Sequence, residues 1–209
     1  MQLPNMQLAA RAAIFSEIIA QTQCTDKLGK IWDLESAMQE AMRSLECVCA
    51  QGNRLYLIGN GGSAAVASHA QVDFVNVAKI NAQVVHEPAL LTCMANDYGY
   101  EHAYARVLSQ WIHSQDVLIA ISSSGKSKNI IHAVEQAKQR QAQVITFTGF
   151  DAQNPLRALG DLNFWLNSSD YGFVEVGHQF ILHNLSDRFG VKKLLTDEVK
   201  RAEAFEVIA

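Results

Sequence analysis

Apolar and polar positions follow two rhythms along this chain. From Met6 to about Thr22, Leu8, Ala12, Phe15, Ile18 and Ile19 recur at near-helical spacing. Ile31, Leu34, Ala37, Met38, Ala41, Leu45 and Val48 repeat that spacing from Ile31 to about Ala50. The pattern predicts two amphipathic helices, parted at Gly29 and closed by Gly52-Asn53. The rhythm then shortens. Apolar runs at 55–58, 82–86, 117–121, 143–148 and near 162–166 predict strands, and Pro88 stops the second of them. Helices are expected from Ser63 to about Ala78, around 89–95 and 100–113, and over 126–140. A long final helix begins between Tyr171 and Glu175 and runs past Asp187, with Gly190 as a candidate end and a charged tail of helical propensity over 192–209. Strands alternating with helices of ~10–15 residues predict an α/β fold, a parallel sheet with helices on both faces. The two leading helices exceed what such a sheet needs, so they require a surface to cover, such as another subunit.

One device occurs twice. The run 55–58 ends in Gly59-Asn60-Gly61-Gly62-Ser63 and opens into a helix. The run 117–121 ends in Ser122-Ser123-Ser124-Gly125-Lys126-Ser127 and does the same. A strand feeding a small-residue loop at a helix N-terminus presents free backbone N–H groups and a positive helix end to an anion. The first loop is not a dinucleotide fingerprint, because no third glycine and no acidic residue follow at the required places, and it lacks the Gly-Lys-Ser/Thr of a nucleotide P-loop. Taken alone it also reads as a tight turn. The second is more specific, since three consecutive hydroxyls at a strand end have no packing purpose and suit phosphate oxygens. Lys126 reads as a solvated lysine. Two such loops suggest a phosphorylated small molecule held at the carboxyl ends of parallel strands.

Composition narrows the class. The 209 residues, 49% hydrophobic and 18% charged, suit one globular domain over 1–209. A net charge of −4 argues against broad nucleic-acid or anionic-membrane binding. Cys24, Cys47, Cys49 and Cys93 form no CxxC pair and read as free thiols in a reducing compartment. No apolar run reaches a membrane span and no secretory signal is evident, so a cytoplasmic protein is expected.

Four segments, Gly59-Asn60-Gly61-Gly62-Ser63, Asn96-Asp97-Tyr98-Gly99-Tyr100, Ile121 to Ser127 and Val144-Ile145-Thr146-Phe147-Thr148-Gly149, occur in the order and rough spacing of one family. The chain resembles the sugar isomerase (SIS) family, and within it the sedoheptulose 7-phosphate (phosphoheptose) isomerases. The resemblance covers nearly the whole chain. It implies a flavodoxin-like SIS fold with two extra N-terminal helices, in which residues 1–52 are an oligomerisation segment. It further implies a homotetramer whose active sites draw on more than one subunit.

Aldose–ketose isomerisation moves a proton between C1 and C2, so it needs a base, and an acid to service the enediol oxygens. A metal can polarise the carbonyl. His69 and Asp73 stand at i and i+4 on one helix face, a spacing that suits two ligands of one metal or an ordinary surface pair. Glu175 and His183 are eight apart on the final helix, two turns plus about 80°, and converge only loosely. The resemblance selects these four as a divalent-metal site, with zinc as the expected metal, Asp73 or Glu175 as base and His183 as acid. Asp73 stands where the family has a glutamate, and Glu175 where it has a glutamine. Asn60, Gly61, Gly62, Ser63, Ser122, Ser123, Ser124 and Ser127 are the phosphate-side candidates, and Asn96 and Asp97 the sugar-side ones. The family's arginine near Val77, its acidic residue at Gly172 and its arginine at Phe173 are missing, so the sugar end departs most. The expected activity is conversion of sedoheptulose 7-phosphate to D-glycero-D-manno-heptose 7-phosphate for lipopolysaccharide or capsule heptose synthesis. The alternatives are isomerisation of another phosphosugar, or a non-catalytic SIS sensor or scaffold such as a replication-initiator-binding tetramer.

Overall fold

The structure is a computed structural model that describes residues 6–206, with side chains as far as residue 192. Its strands are β1 (Gln23–Asp26), β2 (Ile31–Trp32), β3 (Arg54–Ile58), β4 (Asn81–Val84), β5 (Val117–Ser122), β6 (Gln143–Thr148) and β7 (Leu162–Trp165). Its helices are α1 (Leu8–Ala20), α2 (Leu34–Gln51), α3 (Gly62–Asn76), α4 (Pro88–Tyr98), α5 (Ala103–Trp111), α6 (Lys128–Gln139) and α7 (Tyr171–Glu206). The seven strands form one sheet in the order β2-β1-β7-β6-β5-β3-β4. β4, β3, β5, β6 and β7 run parallel.

The alternation of strand residues divides the core in two. Leu55, Leu57, Ile119, Ile121, Ile145 and Phe147 face the layer of α1, α2, α3 and α7. Tyr56, Ile58, Leu118, Ala120 and Val144 face the layer of α4, α5 and α6. Every residue of β5 is buried, as expected of a central strand covered on both faces.

Two expectations need correction. Residues 23–32 are a hairpin, not a helix–helix junction at Gly29. β1 pairs antiparallel with both β2 and β7, so the sheet is mixed at one edge. The Asp26 carboxylate accepts from Leu28 N and Lys30 N, and Gly29 takes the positive φ that closes the turn. Consequently α2 starts at Leu34, capped by Asp33 accepting from Ser36 N, rather than at Ile31. The last helix, conversely, does not end at Gly190. A β-carbon there would lie 3.2 Å from Val77 Cγ1, so the glycine marks a close approach between α7 and the end of α3 and not a stop.

His178 on α7 makes one polar contact, donating from Nε2 to the Thr148 carbonyl at 3.0 Å, and packs edge-on against Phe147. Complete burial pulls its pKa down to about 4, against a smaller upward effect of the Thr148 bond. The unfolded chain therefore binds a proton at His178 near pH 6.5 that the folded chain refuses until about pH 4. Stability is complete above pH 6.5 and is lost as pH falls between those values. Between pH 7 and pH 5 this group alone should lower the unfolding free energy by about 2 kcal/mol. Urea melts of wild type and His178→Gln at both pH values test it; equal pH slopes would contradict it.

Candidate functional site

The strand order reverses between β3 and β5, since the chain leaves β3 toward β4 on one side and returns to β5 on the other. A crevice forms at such a switch point, outside the carboxyl ends of the strands. Both small-residue loops open there. Gly59 is required by backbone approach: a β-carbon on it would stand 2.5 Å from the carbonyl of Ser63 and 2.8 Å from Ala64 N. Between the loops is a cavity of about 120 Å³ lined by Asn60, Ser63, Ser122, Ser123, Ser124, Ser127, Tyr171 and Glu175. A larger hollow of about 530 Å³ lies between the hairpin and the turn at 152–158, but it holds none of the predicted residues. The smaller cavity gathers the serines of both loops.

Within it, Ser123 Oγ is buried and has no hydrogen-bond partner. Ser122 Oγ donates weakly to Ser127 Oγ at 3.4 Å and accepts from Gly125 N. A buried hydroxyl without a partner is costly unless a ligand completes it. Lys126 pairs with Asp151 at 3.1 Å on the surface, away from the serines.

His69 and Asp73 on α3 meet His183 across the packed α3–α7 pair. The two histidine Nε2 atoms are 2.8 Å apart, and Asp73 Oδ2 lies 3.2 Å from His183 Nδ1 and 3.6 Å from His69 Nε2. One ligand atom from each of the three falls within 4.8 Å of the others. Tetrahedral zinc with ~2.0 Å bonds holds its ligands about 3.3 Å apart, within this range. Asp73 Oδ2 is also buried without accepting a hydrogen bond, a cost that a cation removes. The donor set therefore fits a divalent metal, with three protein ligands as in catalytic zinc sites.

Glu175 is not part of that triad. Its carboxylate stands over Gly62, where a β-carbon would lie 2.2 Å from Oε1, and it lines the serine cavity. The eight residues to His183 rise about 12 Å along α7, so the two would meet only by side-chain reach. Asn96 and Asp97 are exposed on α4, joined to each other by a 2.9 Å bond, and do not line the cavity. At the departing end, Arg11 pairs with Asp170 at 3.0 Å and lies 4.0 Å over the Phe173 ring. Arg11 and the amides of Phe173 and Gly172 hold the Asp170 carboxyl below its usual range. Sequence reasoning missed Tyr171, Tyr100 and Asn129. Tyr100 donates from its hydroxyl to Asn60 Oδ1 at 2.8 Å, and Asn129 and Asn60 exchange amide bonds of 2.8 and 2.9 Å. The only signal for Tyr100 and Asn129 was position, in or just after a motif, and for Tyr171 its place at the start of the final helix.

Comparison with known proteins bears on this geometry. Residues 22–149 match the model of the SIS domain. The phosphoheptose isomerase of Pelobacter propionicus is 31% identical over 187 residues, covering 87% of this chain and 92% of the relative. That of Helicobacter pylori is 29% identical over 180 residues, covering 83% and 92%. The solved phosphoheptose isomerase of Neisseria gonorrhoeae shares the fold with a TM-score of 0.76 at 24% identity, covering 88% of this chain and 96% of that one.

Proposed function

Because this chain belongs to the SIS domain family, as an isomerase of its phosphoheptose isomerase branch, we propose that it converts sedoheptulose 7-phosphate to D-glycero-D-manno-heptose 7-phosphate, for lipopolysaccharide or capsule heptose. The observation that carries this reading is the convergence of His69 and Asp73, on the helix that leaves the phosphate-type loop, with His183 of α7. From Ser63 the rise along α3 is about 9 Å to His69 and about 15 Å to Asp73. The seven single bonds from phosphorus to C2 of a heptulose 7-phosphate, extended, span about 9 Å. A triose phosphate spans less than half of that, so the spacing favours a long phosphosugar.

In this reading Ser63, Ser122, Ser123, Ser124 and Ser127 take the phosphate, with the Gly61 and Gly62 backbone beside it. Asn96 and Asp97, on α4 outside the serine cavity, are the candidates for the sugar hydroxyls. Asp73 removes the proton from C1 of the ketose. His183 protonates O2 as the enediol forms, then takes the proton from O1 while Asp73 returns its proton to C2. No atom is gained or lost. A divalent metal, zinc on this donor set, would be held by His69, Asp73 and His183 and would polarise the carbonyl when bound. Glu175, whose carboxylate lines the serine cavity, is the alternative base. Residues 1–209 act as one domain in a cytoplasmic homotetramer, with 1–52 in the oligomer contact. Exposed Ile14 on α1, Val72 and Val75 on α3, and Val176 and Phe180 on α7 support an apolar contact between copies. No helix among the described residues is long and apolar enough to cross a membrane.

The test is product formation from sedoheptulose 7-phosphate, fructose 6-phosphate and ribulose 5-phosphate by the purified protein. Turnover of the heptulose phosphate above the others is expected. The Arg11–Phe173 arrangement at the departing end favours a second reading, another phosphosugar, which turnover of only a shorter substrate would support. Binding without turnover would favour a sensor, and neither would favour a scaffold. Metal analysis should find about one divalent ion per chain in wild type and much less in His183→Ala. An equal content, or none in either, would overturn the metal assignment.

A further inference from the structure

We infer that Asn129 and Tyr100 are positioning residues which, through Asn60, lock the glycine loop against the serine loop so that both close on one phosphate. The inference rests on the phosphate reading of those loops. Asn60 is the only residue of the glycine loop with a long polar side chain, and it is already engaged. Its Oδ1 accepts from Tyr100 Oη and Asn129 Nδ2, and its Nδ2 donates to Asn129 Oδ1. That uses three of the four hydrogen-bonding positions of the amide. Such a side chain is a strut, with one N–H left over beside the cavity it lines.

The strut joins three segments that the chain keeps far apart. Asn60 belongs to the loop after β3. Asn129 is 2% exposed in the first turn of α6, immediately after the serine loop. Tyr100 follows the α4 residues Asn96 and Asp97. A second phenol strengthens the same anchor, since Tyr104 Oη donates to the Gly59 carbonyl at 2.7 Å in a buried setting. The two loops are thus fixed by reciprocal amide bonds, a two-point contact that sets both separation and tilt. Neither amide can be removed without leaving its partner with unmet polar atoms, at a half-buried site for Asn60 and a buried one for Asn129. The catalytic triad lies on α3 and α7 beyond the strut, so loosening it should disturb phosphate binding and not the proton transfers.

The test measures inorganic phosphate binding by calorimetry and the kinetics of sedoheptulose 7-phosphate on the full chain. Asn129→Ala should weaken phosphate binding and raise KM by about tenfold or more, with kcat within about threefold. Asn60→Ala should match it, and the double variant should lose no more than the worse single one, as expected of residues acting through one contact. Tyr100→Phe should cost about threefold, having lost one bond of the three. Should Asn129→Ala fail to fold, Asn129→Leu replaces it, a neutral side chain of similar shape that has neither the donor nor the acceptor, with the same expectation. Phosphate binding within twofold of wild type in a folded Asn129 variant overturns the inference, as do losses that multiply in the double variant. Wild type that binds phosphate but leaves sedoheptulose 7-phosphate unchanged would remove the proposed substrate and leave the strut to be judged on phosphate alone. Wild type that binds no phosphate would overturn both.

Discussion

Asp73→Asn is expected to lower turnover of sedoheptulose 7-phosphate by about 10²–10⁴-fold, the usual contribution of a positioned general base. The substitution keeps the shape of the side chain and removes its capacity to take a proton at C1. Phosphosugar affinity should stay within about threefold, because the serine cavity lies at the other end of α3. Asp73 is also a candidate ligand, so metal content must be measured beside the rate. A variant that retains metal and loses turnover isolates the base role. Asp73→Glu sharpens the same point. It adds one methylene, about 1.5 Å of reach, and restores the side chain of the resembling family. It should retain at least about a tenth of the wild-type rate. Steady-state kinetics with metal-loaded protein check both; an Asn variant as fast as wild type would exclude Asp73 as the base.

Gly59→Ala should be the most damaging change in the phosphate end. The new methyl would meet backbone atoms of Ser63 and Ala64 at 2.5–2.8 Å, and backbone cannot turn aside as a flexible side chain can. The first turn of α3 must shift, which costs about 1–3 kcal/mol or more in stability. It also displaces Ser63 and the helix N-terminus from the phosphate. A fall in urea midpoint together with a loss of phosphosugar binding of about a hundredfold is expected. Gly62→Ala is a useful contrast, since the atoms nearest its methyl belong to the Glu175 carboxylate, which a rotamer change can move. Equal damage from the two would contradict the backbone explanation.

The parts of this protein legible in its sequence were those set by periodicity. The five parallel strands and the helices between them follow from apolar runs and amphipathic repeats, and both anion loops fall where glycine and serine interrupt them. The β1–β2 hairpin escaped because strands of four and two residues carry too few alternations to register, and its ladder with β7 joins segments over a hundred residues apart. Gly190 misled because a glycine in a helix marks either an end or a close approach, and only the packed Val77 decides between them. In the site, helical spacing placed His69 beside Asp73, but pairing with His183 depends on how α3 packs on α7. Glu175, assigned by resemblance to the metal, lines the serine cavity, a neighbourhood its spacing from His183 did not indicate. Asn129 and Tyr100 carry no local signature, since their partner Asn60 is remote in the chain.

Deuterium incorporation into sedoheptulose 7-phosphate, followed by NMR in D2O, reads the proposed proton transfer itself, whatever the final equilibrium between ketose and aldose. Wild type should exchange the transferred C1 hydrogen and label C2 of the aldose, while metal-loaded Asp73→Asn should do so at least about a hundredfold more slowly. Substrate bound by wild type with no exchange at either carbon, or exchange at the wild-type rate in Asp73→Asn, would contradict isomerisation at this cluster.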